Sequence, residues 1–332
     1  MKVAIVTNIS TPYRDPVYRL LNNFEDIESK VFFCSKSEPN RNWNMGSIEF
    51  DHVFLSKKTN KFIHFNFNVF RELNKFKPDV ILTAGFNPTM LFAWLWTILR
   101  FKKHIPFSDA NIYSERGLSV LHKIIRKIVF SSSNAFLGAS EGTLELYKGY
   151  KISNNKLFKS CLAIDNYKFK QIDEKKEYDL MFCGQFIERK QPIFFCEIAK
   201  IVSESKPGLK VLLLGSGPLK EDCLKYLIEN DIDFTDAGFV QPDDLPNYVN
   251  SSRLLLFPTL KDPWGLVANE ALASGVPVLI SSAAGVAEEL VIDGYNGYVL
   301  DNYNIDKWSL KVNEILSNTY LENKMSLNAT NS

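Results

Sequence analysis

The sequence predicts an α/β protein of two domains, each a parallel sheet flanked by helices. Three observations carry that expectation. The chain has 332 residues, and domains commonly run to about 150. Short β-rich runs alternate with helical patterns along its length, the order that builds parallel sheets covered on both faces. The alternation breaks once, at a polar stretch near residue 170, and then restarts.

In the first domain, assigned to 1–165, Val3–Val6, Ser29–Phe33, Val80–Thr83, His104–Phe107 and Ala135–Leu137 read as strands. Pro16–Phe24, Val69–Lys75, Pro88–Arg100, Leu118–Phe130 and Glu141–Tyr147 read as the helices between or after them. Asp165–Tyr178 is polar and charged without an apolar period, which makes 166–177 a linker. In the second domain, 178–320, the strands are Leu180–Cys183, Lys210–Leu214, Ile232–Thr235, Leu254–Phe257, Val278–Ile280 and Tyr298–Leu300. Helical patterns follow most of them, notably Gln191–Ser203, Leu219–Asn230 and Leu266–Ser274. Residues 321–332, ending in SLNATNS, read as a polar tail that leaves little for a final helix. The simplest architecture is two Rossmann-like domains facing a central cleft. Ligands in such sheets sit beyond the carboxyl ends of the strands, so chemistry is sought at strand-to-helix turns.

Composition removes several function classes. With 45% hydrophobic and 23% charged residues, the chain is not collagen-like, disordered or a disulfide scaffold. A net charge of +1 argues against a nucleic-acid partner, which calls for a strongly basic face. That total conceals a split. Residues 1–170 hold 25 Lys and Arg against 14 Asp and Glu, a net +11, and residues 171–332 hold 14 against 24, a net −10. The five cysteines are odd in number and lack a C-x-x-C pair, which fits reduced thiols in a cytoplasm. Four scattered histidines offer no zinc-ligand spacing, so no metal is expected. The apolar run after Lys2 is too brief for a signal-peptide core of about 7–15 residues. Met90–Leu99 falls short of the ~20 residues of a spanning helix.

Three turns in the second half bear candidate chemistry. In Leu180–Pro192 a buried strand runs into Gly184, and a polar turn carries Gln185, Arg189 and Lys190 towards a helix start. A glycine admits close backbone approach, and cations at a helix N-terminus suit phosphate; surface charges on an ordinary turn fit equally. Leu212–Asp222 places Gly215 and Gly217 at a strand end, a fragment of a dinucleotide fingerprint without its third glycine. The third turn is the most informative. Asp262 and Glu270 are separated by seven residues, with Pro-Trp-Gly directly after Asp262. The amides of Gly265, Leu266 and Val267 would then form a helix N-terminus able to take a diphosphate. The two carboxylates would accept hydrogen bonds from sugar hydroxyls at its ends. An N-capping Asp262 and a helix-surface Glu270 account for the same spacing.

Taken together, Gly184…Lys190, Gly215–Gly217, Asp262…Glu270, Gly275-Val276-Pro277 and Asn296-Gly297 resemble, in order, the donor domain of retaining GT-B glycosyltransferases of family 4. The resemblance covers about Tyr178 to Leu300. The opening Thr7–Leu21 resembles that of many bacterial surface-polysaccharide members. It implies a GT-B fold, a nucleotide-sugar donor (a UDP-sugar over a GDP-sugar), no metal, and a glycan or lipid-linked acceptor. Lys190 would be the cation on the diphosphate, Glu270 would bind the ribose, and Asp262 the transferred sugar. The backbone of Gly238, Phe239 and Val240 would meet the base. Two positions depart from the pattern: Gln185 stands where the family has Arg, and Asp262 where it has Glu. Arg189 is the candidate substitute for the missing cation.

On the acceptor side, Arg14 is a candidate phosphate contact and Asp109 a candidate base, although the family's His near Asp109 is missing. Structural roles at turns remain open for both. Lys123, Arg126 and Lys127 lie among apolar residues, and Arg100, Lys102 and Lys103 follow the Met90–Leu99 run. Such faces can dock on anionic lipid, and a core helix with a solvated rim of charge accounts for the same run; the expectation is a cytoplasmic protein, peripheral on the inner membrane face. Two further readings are a sugar-nucleotide epimerase of the same fold and a non-catalytic binding subunit.

Overall fold

The computed structural model describes residues 1–39, 43, 46–56, 63–172 and 175–332. The chain divides into two compact units, Met1–Ala163 and Ile164–Ser332, taken here in turn.

The first unit contains strands β1 (Lys2–Thr7), β2 (Glu28–Phe33), β3 (His52–Phe54), β4 (Val80–Thr83), β5 (Lys103–Ser108), β6 (Phe136–Gly138) and β7 (Leu157–Lys159). They form one parallel sheet in the order β3-β2-β1-β4-β5-β6-β7. The helices are α1 (Asp15–Leu21), α2 (Val69–Phe76), α3 (Pro88–Arg100), α4 (Ile112–Arg116), α5 (Val120–Ser132) and α6 (Glu141–Gly149). β1 is a continuous apolar run because both its faces are covered. Ala4 and Val6 pack with Met90, Ala93 and Trp96 of α3, whereas Ile5 packs with Tyr18 of α1.

β3 and β7 escape the sequence reading because three residues carry no measurable period. The expected helix Leu118–Phe130 starts two residues later, at Val120. Ser119 stays extended and accepts a hydrogen bond from the His122 amide, which fixes the start.

The second unit contains β8 (Tyr178–Cys183), β9 (Lys210–Leu214), β10 (Asp233–Gly238), β11 (Ser252–Phe257), β12 (Val278–Ser281) and β13 (Gly297–Leu300). Their order is β10-β9-β8-β11-β12-β13, again all parallel. Helices α7 (Pro192–Ser205), α8 (Lys220–Glu229), α9 (Leu245–Asn250), α10 (Leu266–Ala273), α11 (Ile305–Ser317) and α12 (Thr319–Thr330) complete it. One core joins Phe182, Phe195 and Leu213 to Trp308 and Ile315 of α11.

Residues 321–332, expected as a polar tail, are mostly helix. Leu321, Met325 and Ala329, four apart, make an apolar stripe within a polar sequence, and Asn318 caps the start by accepting from the Leu321 amide. Met325 and Ala329 are buried, and Ser326 Oγ donates to Gly275 O at 2.6 Å. Arg253 ties α12 back to the sheet through Glu322 and Asp179. In the expected linker 166–177, residues 173 and 174 lie outside the described residues. The rest packs on the second unit: Phe169 is buried, and Asn250 holds Lys170 and Ile172 by their backbones.

Both sheets reverse direction beside their first strand. The crevices at the carboxyl ends of β1 and β4, and of β8 and β11, are therefore the topological switch points where such folds bind ligands. No helix among the described residues is long and apolar enough to cross a membrane.

Candidate functional site

The second unit's switch point is built from three crossing turns. β9 leads into Gly215, whose φ of 126° excludes most side chains; a Cβ there would lie 1.9 Å from Gly184 O. The Gly215 amide donates to Gly238 O at 2.6 Å. The glycines that follow β8 and β9 and the one that ends β10 thus bring three chain segments together at backbone distance. Lys220 Nζ donates to Gly215 O at 2.9 Å and pairs with Asp236 at 2.5 Å. Beyond Gly238, Phe239 is exposed and Val240 half-buried.

After Gly184, a single turn of 3₁₀ helix, Glu188–Lys190, precedes α7. The Leu260 amide and Thr259 Oγ1 both donate to Arg189 O, at 2.9 and 3.0 Å, locking this turn to the loop after β11. Asn302 Nδ2 in turn holds Thr259 O at 2.6 Å. The result is a tight charge cluster. Lys190 Nζ donates to Asp262 Oδ2 at 2.5 Å, and Arg189 Nη1 donates to the same oxygen at 2.9 Å and to Lys261 O at 2.8 Å. Lys190 also lies 4.4 Å from the centre of the Phe257 ring, a favourable cation–π distance.

Asp262 does not cap α10. Its Oδ1 accepts from the Trp264 amide at 3.2 Å, and the cap position is Gly265, at φ 112° and without a side-chain cap bond. A Cβ on Gly265 would meet Phe257 at 2.9 Å. The amides of Gly265, Leu266 and Val267 open α10 and donate to no acceptor among the described residues, the condition that makes a helix N-terminus attract anions. Glu270 follows one turn later and is no surface residue. Burial pushes its carboxyl up to about 8, although it keeps partial solvent access.

The electrostatics follow from these shifts. Burial by itself would raise the Asp262 pKa, but Lys190 and Arg189 outweigh it and hold the carboxyl below its usual range. For Lys190, burial pulls downward against the pull of Asp262. Around Asp262, two cations face one carboxylate, and burial disfavours a second negative charge on Glu270. The cluster has a surplus of positive charge beside free helix amides.

The structure therefore gathers Gly184, Gln185, Arg189, Lys190, Gly215, Gly238, Asp262, Gly265–Val267 and Glu270 at the carboxyl-end side of the second sheet. Phe257, Thr259, Lys220 and Asn302 belong to the same cluster and were missed. Each is an ordinary residue in its local sequence, and only the crossing of loops distant in sequence shows its place. Arg14 and Asp109 lie elsewhere, at the switch point of the first unit. Arg14 sits 4.8 Å from the centre of the Phe107 ring. Burial opposes its charge, but Tyr18, Tyr13 and Asp109 outweigh that and raise its pKa.

Residues 163–332 match the family model described as Glycosyl transferases group 1. The chain belongs to the group 1 glycosyl transferases. It has the GT-B fold, shared with the solved structures it superposes on. The Anabaena protein Alr3699/HepE, solved in complex with UDP, superposes with a TM-score of 0.78 at 13% identity, covering 100% of this chain and 94% of that one. Among glycosyl transferase relatives, D-inositol 3-phosphate glycosyltransferase of Mycolicibacterium smegmatis is 31% identical over 139 residues, 40% of this chain and 32% of the relative. The match thus spans about a third of that relative's length. An uncharacterized 41.2 kDa protein in the cps region of Klebsiella pneumoniae is 23% identical over 339 residues, 90% of this chain and 87% of that one.

Proposed function

We propose that this group 1 glycosyl transferase is a retaining enzyme of family 4. It moves a hexose or amino-hexose from a nucleotide sugar to a glycan or lipid-linked oligosaccharide in bacterial O-antigen or capsule synthesis. The observation that carries this reading is the clustering of Lys190 and Arg189 on Asp262 beside the free amides of α10. Cleavage of the anomeric C–O bond leaves growing negative charge on a diphosphate, and pre-placed cations and amides stabilise that charge as it develops. In this reading the cluster supplies the positive charge without a metal ion. Arg189 supplies the second cation that Gln185 does not. Glu270 binds the ribose, Asp262 orients the transferred sugar, and the backbone of Gly238–Val240 meets the base. The reported UDP complex of HepE supports a UDP-sugar, and the cps-region relative supports the polysaccharide role.

The outer face of the first unit supports work at an inner membrane surface from the cytoplasmic side. α5 exposes Val120, Leu121, Ile124 and Ile128, and α3 beside it exposes Leu95, Ile98 and Leu99, followed by Phe101. Trp94 Nε1 donates to Ser132 Oγ at 2.9 Å, joining the two helices. Neither helix carries an acidic residue, whereas Arg100, Lys123 and Lys127 do carry charge. Apolar side chains interleaved with cations suit an anionic bilayer.

The test is product analysis with a panel of UDP-, GDP- and dTDP-sugars. Release of free nucleotide from one donor, unaffected by EDTA, is expected. An altered sugar on an intact nucleotide would indicate an epimerase, and binding without turnover a non-catalytic subunit; either result overturns the proposal.

A further inference from the structure

The first unit repeats the second unit's switch-point topology but not its charge balance. The loops after β1 and β4 face each other, and Asn87 Nδ2 donates to Asn8 Oδ1 at 2.6 Å across them. Within the loop after β1, the Arg14 amide donates to Thr11 O at 3.2 Å, so Thr11 and Arg14 share one turn. Thr11 is only 6% exposed, yet its Oγ1 has no hydrogen-bond partner. The buried Nε of Arg14 has none either. Buried polar groups are overwhelmingly paired, and two orphans in one turn call for an explanation.

The charges point the same way. In the second unit, Asp262 on the loop after β11 pairs with both cations opposite it. The equivalent loop after β4, Ala84–Asn87, contains no carboxylate. Asp15 is engaged, accepting from Ser10 Oγ and from the Thr11 amide. Asp109, at the end of β5, interacts with Arg14 electrostatically but makes no ion pair with it among the described residues. Arg14 is instead held by Tyr18 and the Phe107 ring. A guanidinium that makes no close ion pair and a hydroxyl on the same turn are both able to donate. An oxyanion seated on this turn would accept from both, and phosphate matches the guanidinium fork.

We propose that the Thr11–Arg14 turn at the β1/β4 switch point is a binding site for a phosphate group. If the function proposed above holds, this group is a phosphate carried by the acceptor. That assignment rests on the glycosyltransferase reading; the phosphate site itself does not.

Hydrogen–deuterium exchange on the full chain, with inorganic phosphate as the probe, reads the two units separately. Phosphate is expected to slow exchange in peptides covering 8–16 and 84–90. Arg14→Gln should raise the phosphate concentration for half-protection there by about tenfold, the loss expected for a charged hydrogen bond. Thr11→Val should raise it by about threefold. Protection of 184–191 and 262–268 should not change in either variant. If Arg14→Gln does not fold, Thr11→Val, which removes only a hydroxyl, decides the matter. Lack of protection at 8–16, or protection that the folded variants leave unaltered, overturns the site. The readout needs no turnover, so a chain that binds phosphate here and transfers no sugar keeps the site and loses the proposed function. In an active enzyme at saturating donor, competition between phosphate and acceptor supports the acceptor assignment, and non-competitive inhibition overturns it.

Discussion

Lys190 Nζ and Asp262 Oδ2 lie 2.5 Å apart, joining two loops that are 72 positions apart in sequence. Arg189 reaches the same oxygen at 2.9 Å. One carboxylate therefore organises both cations. A diphosphate bound here, as proposed, would compete with Asp262 for them.

That competition makes a prediction opposite in sign for binding and for turnover. Asp262→Asn removes the competing charge, so free UDP should bind about threefold to tenfold tighter, as expected when a close anion is lost near partly exposed cations. Sugar transfer should fall about a hundredfold if Asp262 orients the transferred sugar as proposed. Calorimetry with UDP and a nucleotide-release assay check the two halves. Weaker UDP binding in the variant would contradict the competition.

Glu270 makes stability depend on pH. Its folded pKa of about 8 lies above the ordinary 4.5. Between these values the unfolded chain loses a proton that the folded chain keeps, so the contribution of Glu270 to stability falls as pH rises from about 4.5 to about 8. Glu270→Gln has no such titration. Its stability relative to the parent should rise from pH 5 to pH 9, by a few kcal/mol at most, on the order of the linkage for a shift of this size, while donor affinity drops. Thermal melts at both pH values measure this; a difference independent of pH would contradict it.

The crossing of the glycine loops should be intolerant of a single methyl group. Gly215→Ala puts a Cβ 1.9 Å from Gly184 O at a φ of 126°, and should cost about 3 kcal/mol or more from strain and clash. Gly149→Ala, where a Cβ has nothing within 4 Å, is the control and should be neutral or slightly stabilising in its helix. Equal melting temperatures for the two variants would count against the close approach of the loops.

The outer face of α3 and α5 should bind phosphatidylglycerol vesicles and leave phosphatidylcholine vesicles alone. Replacing Leu121, Ile124 and Ile128 with Gln should weaken sedimentation with the anionic vesicles about tenfold, from the apolar area no longer inserted. Salt should weaken it as well. Equal binding to both lipids would contradict the role of the lysines and arginines.

How far the sequence could be read depended on the range of each interaction. The strands in the middle of both sheets were legible because their two buried faces leave an apolar run, as in Val3–Val6 and Lys210–Leu214. The start of α10 was legible too, because Pro-Trp-Gly punctuates it. β3 and β7 at the sheet edge were too short to show a period. α12 was hidden because an apolar residue every fourth position is faint among Asn and Ser. Within the site, spacing left Asp262 free to be a cap; only the fold shows its side chain turned to Lys190 and Arg189. Thr259 and Asn302 act through loops that meet in space, a relation no local pattern records.

The central claim is that the Lys190–Arg189 cluster beside α10 holds the donor diphosphate. The most direct measurement is the affinity of UDP for the full chain and for Lys190→Ala, by calorimetry at low salt. At least a tenfold loss of affinity is expected in the variant, from removal of a charged contact to phosphate. Equal affinities would show that the diphosphate binds elsewhere and would contradict this role for Lys190.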